Sequence, residues 1–466
     1  MRSDRFSLKR ILAVAAAAAS LGACAGGGNE TAGGLPSAPN AGSFRVDDGP
    51  MNLLRQKIKH VVIIVQENRS FDNLFQGFPG ADTQSYGYTS GGQQVALQSV
   101  GLETSWDIVH DLSDYLNACD GSGSIPGTNC KMDGFDKEYA GCGHRYQPPC
   151  PIQFPEYAFV PANETKPYFA MGEQYVVADR MFTSNLDGSS FISHQYIIGA
   201  QASSAVDYPS GAWGCDGGPS DMVHTITQQR QYGPQESACF DNQTLGDELD
   251  KAGVSWHYYA TAQYGQDFSF IWSAYQAIKH IYNGPDWSAD VISPQTQIIN
   301  DAQNGKLPAV SWVTPTCANS DHAGCGSNTG PAWVASVVNA IGQSQYWNST
   351  AIFLMWDDYG GWYDHVSPPY EDYDGLGIRV PLVIISPFAK KAFVSHVQYE
   401  HGSILRFVED VFGLPRLSAS DTRANSPAKD CFNFARLPRK FHVIPSSHDA
   451  QFFLHQPPDP RPVDTQ

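Results

Sequence analysis

The stretch His60-Val61-Val62-Ile63-Ile64-Val65-Gln66-Glu67-Asn68-Arg69-Ser70-Phe71-Asp72 decides the fold. Val61 to Val65 are branched and apolar without alternation, so the strand they form is covered on both faces, as strands of a parallel sheet are. The run stops at Glu67 and Asn68, which are too polar to continue it. In an open α/β sheet, ligands bind in the crevice beyond the carboxyl ends of the strands. A carboxylate and a carboxamide delivered there are hard oxygen donors suited to a divalent cation. The plainer alternative is a polar turn after a core strand.

Other segments repeat the pattern. Residues 351–356 are wholly apolar and end at once in Asp357-Asp358-Tyr359-Gly360-Gly361. Residues 307–313 run into a polar loop carrying Asp321 and His322, residues 253–259 place His257 in a short strand, and residues 380–385 form a core strand ahead of Ser386-Pro387. Between them, residues 244–252, 332–341 and 402–412 have apolar residues at helical spacing. Strands alternating with helices predict an α/β fold, a mostly parallel central sheet with helices on both faces. There is no internal repeat, and residues 58–445 read as one domain.

The N-terminus reads as a targeting segment. Arg2, Arg5, Lys9 and Arg10 precede the Ala-rich apolar run 11–21, as in a signal peptide over residues 1–23. Leu21-Gly22-Ala23-Cys24 looks like a bacterial lipobox, which would lipidate Cys24 and attach the exported protein to the outer membrane, periplasmic or surface-facing; the alternative is an ordinary secretory signal. Residues 24–57 start rich in Gly, Ala, Ser, Asn and Pro and are expected to be a flexible tether. Residues 446–466 are expected to be a Pro-rich tail. The chain carries a formal charge of −18, so it repels nucleic acid at long range, and an anionic substrate needs local positive charge such as a metal. Of ten cysteines, sequence neighbours pair as Cys119–Cys130, Cys142–Cys150, Cys215–Cys239 and Cys317–Cys325, leaving Cys431. Export permits such bridges, although spacing alone does not fix connectivity.

Asp357 and Asp358 would point to opposite faces of a continuing strand. Both reach one ion only if the backbone turns, which Gly360-Gly361 permits; the alternative is a solvated Asp-Asp turn. With Glu67 and Asn68 they would form an oxygen-rich cage for one divalent ion, with Ca, Mg or Mn favoured over Zn. Residues 185–194, Asn-Leu-Asp-Gly-Ser-Ser-Phe-Ile-Ser-His, enter a helix. Ser189, Ser190 or Ser193 there either caps the helix or offers a hydroxyl to a phosphoryl group, activated by the cation. His110, His257 and His322 lie in segments that could border the same crevice and hydrogen-bond phosphoryl oxygens; His365 is a further candidate.

Residues 66–72 and 356–365, taken with Lys131–Phe135, Gly188–His194, Arg379–Val383, Ser395–Tyr399, Arg406–Asp410 and Gly413–Pro415, resemble the bacterial phosphoesterase family of phospholipases C and acid phosphatases. The resemblance covers about residues 58–434. It implies an alkaline-phosphatase-like α/β/α fold and metal-dependent phosphoester hydrolysis. By position it implies Glu67, Asn68, Asp357, Asp358 and Ser190 as metal ligands, Ser190 as nucleophile, and His110, His257 and His322 as phosphoryl contacts.

Two departures lean towards acid phosphatase over phospholipase C. Serine stands where the phospholipases usually carry threonine, and the chain stops short of their C-terminal β domains. Phe191-Ile192-Ser193 replaces the Pro-Asn common after the nucleophile. The expected substrate is a phosphate ester. A sulfatase is disfavoured because no Cys-x-Pro-x-Arg motif is present. A non-catalytic surface lipoprotein binding a phosphorylated ligand is the alternative of another class.

Overall fold

The buried run around Val61–Val65 lies in the middle of an eight-stranded sheet. The structure, a computed structural model, describes residues 49–210, 213–260 and 272–457. In chain order the strands are β1 (His60–Gln66), β2 (Val176–Ala178), β3 (Trp256–Tyr259), β4 (Val291–Ile292), β5 (Val310–Val313), β6 (Thr350–Trp356), β7 (Leu382–Ile385) and β8 (Phe393–Ser395). In space they run β4-β3-β5-β1-β6-β7-β2-β8. All run one way except β7, which is antiparallel to both neighbours. Every residue of Val61–Val65 and of β6 is buried. This two-sided covering is why neither run alternates.

The helices form two groups. One comprises α2 (Lys166–Gln174), α5 (Gln297–Gln303) and α6 (Gly330–Gly342); the other comprises α3 (Ser190–Gly199), α4 (Leu245–Ala252) and α7 (His401–Phe412). A short α1 (Phe71–Phe75) follows β1, capped by the Ser70 hydroxyl. Strand β3 shows the two faces. The Tyr258 hydroxyl lies 3.5 Å from His194 Nδ1 on α3, whereas the Tyr259 hydroxyl donates to Asp301 on α5 at 2.8 Å. The sheet is therefore covered on both sides, the three-layer arrangement expected from the alternation of strands and helices. The expected helix at 244–252 forms as α4, with Thr244 and Asp247 closing a capping box.

Register places the site. His60 to Gln66 pair in parallel with Thr350 to Trp356, so Glu67 and Asp357 leave the sheet side by side. The Asp357 amide donates to the Gln66 carbonyl at 3.0 Å. Strand β5 flanks β1 on its other side, which brings the loop of Asp321 and His322 to the same edge.

Both expected boundaries move. The signal peptide and residues 24–48 lie outside the described residues, but the end of the expected tether is helical, Gly49–Lys57. Leu54 and Ile58 are buried in the core there, and Arg55 Nε donates to the Asp410 carbonyl at 2.9 Å. At the other end, residues 446–457 of the expected tail are ordered against the domain: Phe453, in the helix Ala450–Leu454, packs edge-on to Trp333 at 5.4 Å. In each case a few apolar residues give the segment something to bury. The four disulfides Cys119–Cys130, Cys142–Cys150, Cys215–Cys239 and Cys317–Cys325 are present, and Cys431 is a buried free thiol. Among the described residues no helix is long and apolar enough to cross a membrane.

Candidate active site

The ends of β1 and β6 are turned inward by backbone geometry. Asn68 has φ 56°, in the left-handed region that asparagine adopts more readily than most residues. Its amide N–H donates to Asp357 Oδ1 at 2.9 Å. Across from it, Gly360 has φ 62°, and a Cβ there would lie 2.2 Å from the Asn68 carbonyl oxygen. Only glycine lets the two strand exits lie this close. The turn brings both Asp357 and Asp358 to Asn68, instead of sending them to opposite faces.

Helix α3 brings the hydroxyl. Ser190 Oγ donates to Asp358 Oδ2 at 3.0 Å and accepts from Asn68 Nδ2 at 3.1 Å. It is not a cap: Ser189 holds the N-cap position, and its own hydroxyl donates to the Asp207 carbonyl at 2.6 Å. The Asn68 amide nitrogen also lies 3.3 Å from Asp358 Oδ2 and 2.8 Å from His110 Nε2. These acceptors fix the amide orientation and turn Asn68 Oδ1 the other way. His110 is held by Nδ1 donating to the Ile108 carbonyl at 2.5 Å, with Nε2 3.6 Å from Asp358 Oδ1.

One residue of the site was missed in the sequence. His194 stands one turn after Ser190 on α3, with Nε2 3.3 Å from Glu67 Oε1 and 3.6 Å from Asp357 Oδ2. The signal was available, because residues i and i+4 share a helix face. Finding it required the helix to begin at Ser190, not beyond it.

All of these side chains are buried. Burial, and then the neighbouring Asp357, push the Glu67 and Asp358 carboxyls well above the usual range. Burial also works against Asp357, but His194 and hydrogen bonds outweigh it and hold Asp357 low, so it keeps the charge. Burial pushes His194 down to about 4, and the nearby buried His401 likewise to about 4. Three oxygens, Glu67 Oε1, Asn68 Oδ1 and Asp357 Oδ2, are buried without a hydrogen-bond partner among the described residues. Such orphaned acceptors are costly unless a cation satisfies them. Glu67, His194 and Asp357 lie close enough to hold one ion. The residues present therefore fit a divalent metal.

The other expected residues lie elsewhere or at the margin. His322 is buried in the loop closed by Cys317–Cys325, stacked on Trp272 at 5.8 Å, with Nε2 unpartnered among the described residues. Its neighbour Asp321 ties the loop to the site's flanks, accepting from Arg69 Nε at 2.7 Å and from Trp356 Nε1 at 3.0 Å. His257 is not in the cluster. It is level with Val62 through Ser311, five residues before Glu67, or about 16 Å back along the sheet. It also lies on the α5 face, with Nδ1 3.1 Å from the Tyr259 hydroxyl. A histidine inside a strand alternates with its neighbours, and here the alternation turns it away from α3. His365 belongs to a separate ion network with Asp72, Asp82 and Asp364.

The sequence profile of the Phosphoesterase family matches residues 58–415. The chain belongs to the Phosphoesterase family. Among similar proteins, hemolytic phospholipase C of Pseudomonas aeruginosa is 25% identical over 423 residues, which cover 79% of this chain and 54% of that protein. The chain thus spans about half the length of that relative. Phospholipase C B of Mycobacterium tuberculosis is 25% identical over 439 residues, covering 82% of this chain and 78% of the relative. Non-specific phospholipase C6 of Arabidopsis thaliana is 23% identical over 401 residues, covering 77% and 68%. Among solved structures, a protein in the alkaline phosphatase superfamily from Vibrio parahaemolyticus aligns with 9% identity and a TM-score of 0.36, covering 81% of this chain and 78% of that one.

Proposed function

We propose that this phosphoesterase hydrolyses phosphate monoesters through a phosphoseryl intermediate on Ser190. The observation that carries the reading is the Ser190 hydroxyl, hydrogen-bonded to Asp358 beside a cage of orphaned oxygens. Ser190 Oγ gives its proton to Asp358, bonds to phosphorus as the ester P–O bond breaks, and takes that proton back when water displaces it. The hydroxyl lies at the first residue of α3, and the positive end of that helix favours the phosphoryl oxygens. Glu67, Asn68, Asp357, Asp358 and Ser190 would hold a divalent cation, which would supply charge neutralisation and lower the pKa of the hydroxyl. His110, fixed by the Ile108 carbonyl, orients Asn68 and faces the phosphoryl group. The departing alkoxide takes a proton from His322, whose Nε2 then accepts one from the water that releases phosphate. Electrostatic positioning of this kind is the main catalytic contribution in phosphoryl transfer.

Serine at the nucleophile position supports the monoester preference. The names of the relatives support a second reading, phospholipase C action on phosphatidylcholine-type diesters. Assays of p-nitrophenyl phosphate against p-nitrophenyl phosphorylcholine separate the two: hydrolysis of the monoester upholds the proposal, and hydrolysis of the diester alone replaces it with the second. Turnover of neither, with divalent ions supplied, leaves a binding lipoprotein. Ser190→Ala is expected to lower kcat by about 10⁴-fold or more. We infer export with attachment through Cys24; Cys24→Ala would then release the protein from the membrane fraction.

A further inference from the structure

We infer that His194 Nε2 is itself a ligand of the cation, which makes the site a mixed nitrogen–oxygen centre selective for a transition-series ion or zinc over calcium or magnesium. The inference rests on the proposed metal-dependent reading of the same site and adds a nitrogen donor to the all-oxygen cage expected from the sequence.

Three observations carry it. First, Nε2 faces the orphaned oxygens directly, 3.3 Å from Glu67 Oε1 and 3.6 Å from Asp357 Oδ2. Donors about 2.0–2.2 Å from one ion are separated by about 3.0 Å at right angles and about 3.5 Å at tetrahedral angles, so these spacings suit a shared ion. Second, Nδ1 has an acceptor of its own, which frees Nε2 to face the ion. The Tyr258 hydroxyl donates to the Trp272 carbonyl at 2.6 Å, which leaves its oxygen to accept. His194 Nδ1 is 3.5 Å from that oxygen, which also accepts from the Ala274 amide, and in the Nδ1–H tautomer donates to it. A ring whose Nδ1 carries the hydrogen presents a bare lone pair at Nε2. With Nδ1 as the donor, the Nε2 lone pair and the carboxylate oxygens it faces, Glu67 Oε2 at 3.4 Å among them, would be joined by a shared cation. Third, ligating histidines typically donate their other ring N–H to an orienting group, and Tyr258 occupies that place.

The ligand type then decides the class of ion. Calcium and magnesium take oxygen ligands, whereas imidazole suits zinc, iron, copper and nickel, and carboxylates accept manganese as well. Ser190 and His194 would hold the ion from successive turns of one helix, so the position of the nucleophile and the identity of the metal would be set by the same element.

The test uses the full chain loaded with Mn²⁺ and pulsed electron paramagnetic resonance to detect imidazole nitrogen coupled to the ion. Wild type is expected to show the coupling, His194→Gln to lose it, and His401→Gln to keep it. In parallel, equilibrium dialysis is expected to show Zn²⁺ displacing Ca²⁺ in wild type, with Zn²⁺ affinity falling at least about tenfold in His194→Gln and Ca²⁺ affinity changing little. Nitrogen coupling absent from wild type, retained in His194→Gln or lost in His401→Gln overturns the inference, as does a preference for Ca²⁺. If near-UV circular dichroism shows His194→Gln unfolded, the wild-type and His401→Gln spectra and the wild-type dialysis decide it. Ester turnover with a bound ion but no nitrogen coupling removes this inference and leaves the proposed function standing. Coupling without turnover does the reverse.

Discussion

Two buried acidic clusters grow from the same pair of strand ends, and they are built in opposite ways. Glu67, Asn68, Asp357 and Asp358 sit where β1 and β6 stop. Asp72 and Asp364, a few residues further along each exit, meet again beside His365 and Arg379. Both clusters combine carboxylates with a histidine in a spacing that could hold an ion. In the second, every carboxylate oxygen is already engaged. Asp72 accepts from the Gln84 amide, from Arg379 Nη2 at 3.3 Å and from His365 Nδ1 at 2.6 Å; Asp364 accepts from the Val366 and Asp72 amides and from Arg379 Nε at 3.0 Å. In the first, three oxygens have no hydrogen-bond partner among the described residues and no arginine or lysine is paired with them. Acidic residues gathered together do not make a metal site. Oxygens left without a partner or a resident cation are what a bound ion would satisfy.

Removing metal is the strongest way to break that comparison. Chelation is expected to abolish turnover and lower stability, since an ion at a hundredfold excess over its Kd contributes about 2.7 kcal/mol to the folded state. Thermal melting and activity with and without added divalent ion check this. Chelated protein that keeps its melting temperature and full turnover would put both clusters in the class of closed ion networks.

The second cluster should fail by losing its internal cation. Arg379→Met leaves Asp72 and Asp364 buried without compensation, and breaking such a pair costs about 3–5 kcal/mol. Denaturant unfolding measures the loss, and metal content per folded molecule should be unchanged. A variant that folds as well as wild type but sheds its metal would show that Arg379 serves the first cluster instead.

Much of this arrangement was legible before the structure. The runs 61–65 and 351–356 announced central strands because two-sided burial removes alternation, and each ended in the residues that line the site. Ser190 could be placed through its resemblance to family motifs. What could not be read was orientation. His257 lies in a correctly expected strand, yet the pleat points it at α5. His194 escaped because the sequence did not fix the helix start at Ser190, and a helix buried all round, Ser190–Gly199, has no amphipathic face to mark the i, i+4 pair. Strands β2, β4 and β8 are two or three residues long, too short to carry a period. The residues that separate the two clusters, Arg379 above all, act through contacts across nearly the whole domain.

The pH response gives a finer contrast. In the second cluster burial opposes the charge on His365, but Asp72 outweighs it and raises the imidazole above its ordinary 6.5. A group raised on folding stabilises fully below its unfolded value, and that contribution is lost as pH climbs through the native one. Burial likewise opposes ionisation of Asp82, but His365 and Arg180 hold it below 3.8, so its contribution is lost on the acid side. Stability measured by urea unfolding from about pH 6 to about pH 9 should therefore decline on an alkaline limb. His365→Gln should flatten that limb. An unchanged slope in the variant would assign the decline to other groups.

The smallest expected effect concerns His257 and sharpens where the first cluster ends. Its imidazole makes one neighbourly hydrogen bond, to the Tyr259 hydroxyl, on the face away from α3. His257→Gln keeps a polar group in that place, so the stability loss should stay within about 1 kcal/mol and kcat within about twofold. The same substitution at His110, bonded to Asn68 beside the nucleophile, should lower kcat by about 10²-fold or more, the usual contribution of a positioned polar group in the transition state. Steady-state kinetics on the two variants compare one residue type at two positions, inside and outside the cage. Equal losses at both would mean that β3 reaches the phosphoryl group after all. A large loss at His110 alone ties catalysis to the strand exits of β1 and β6, where the unsatisfied oxygens are.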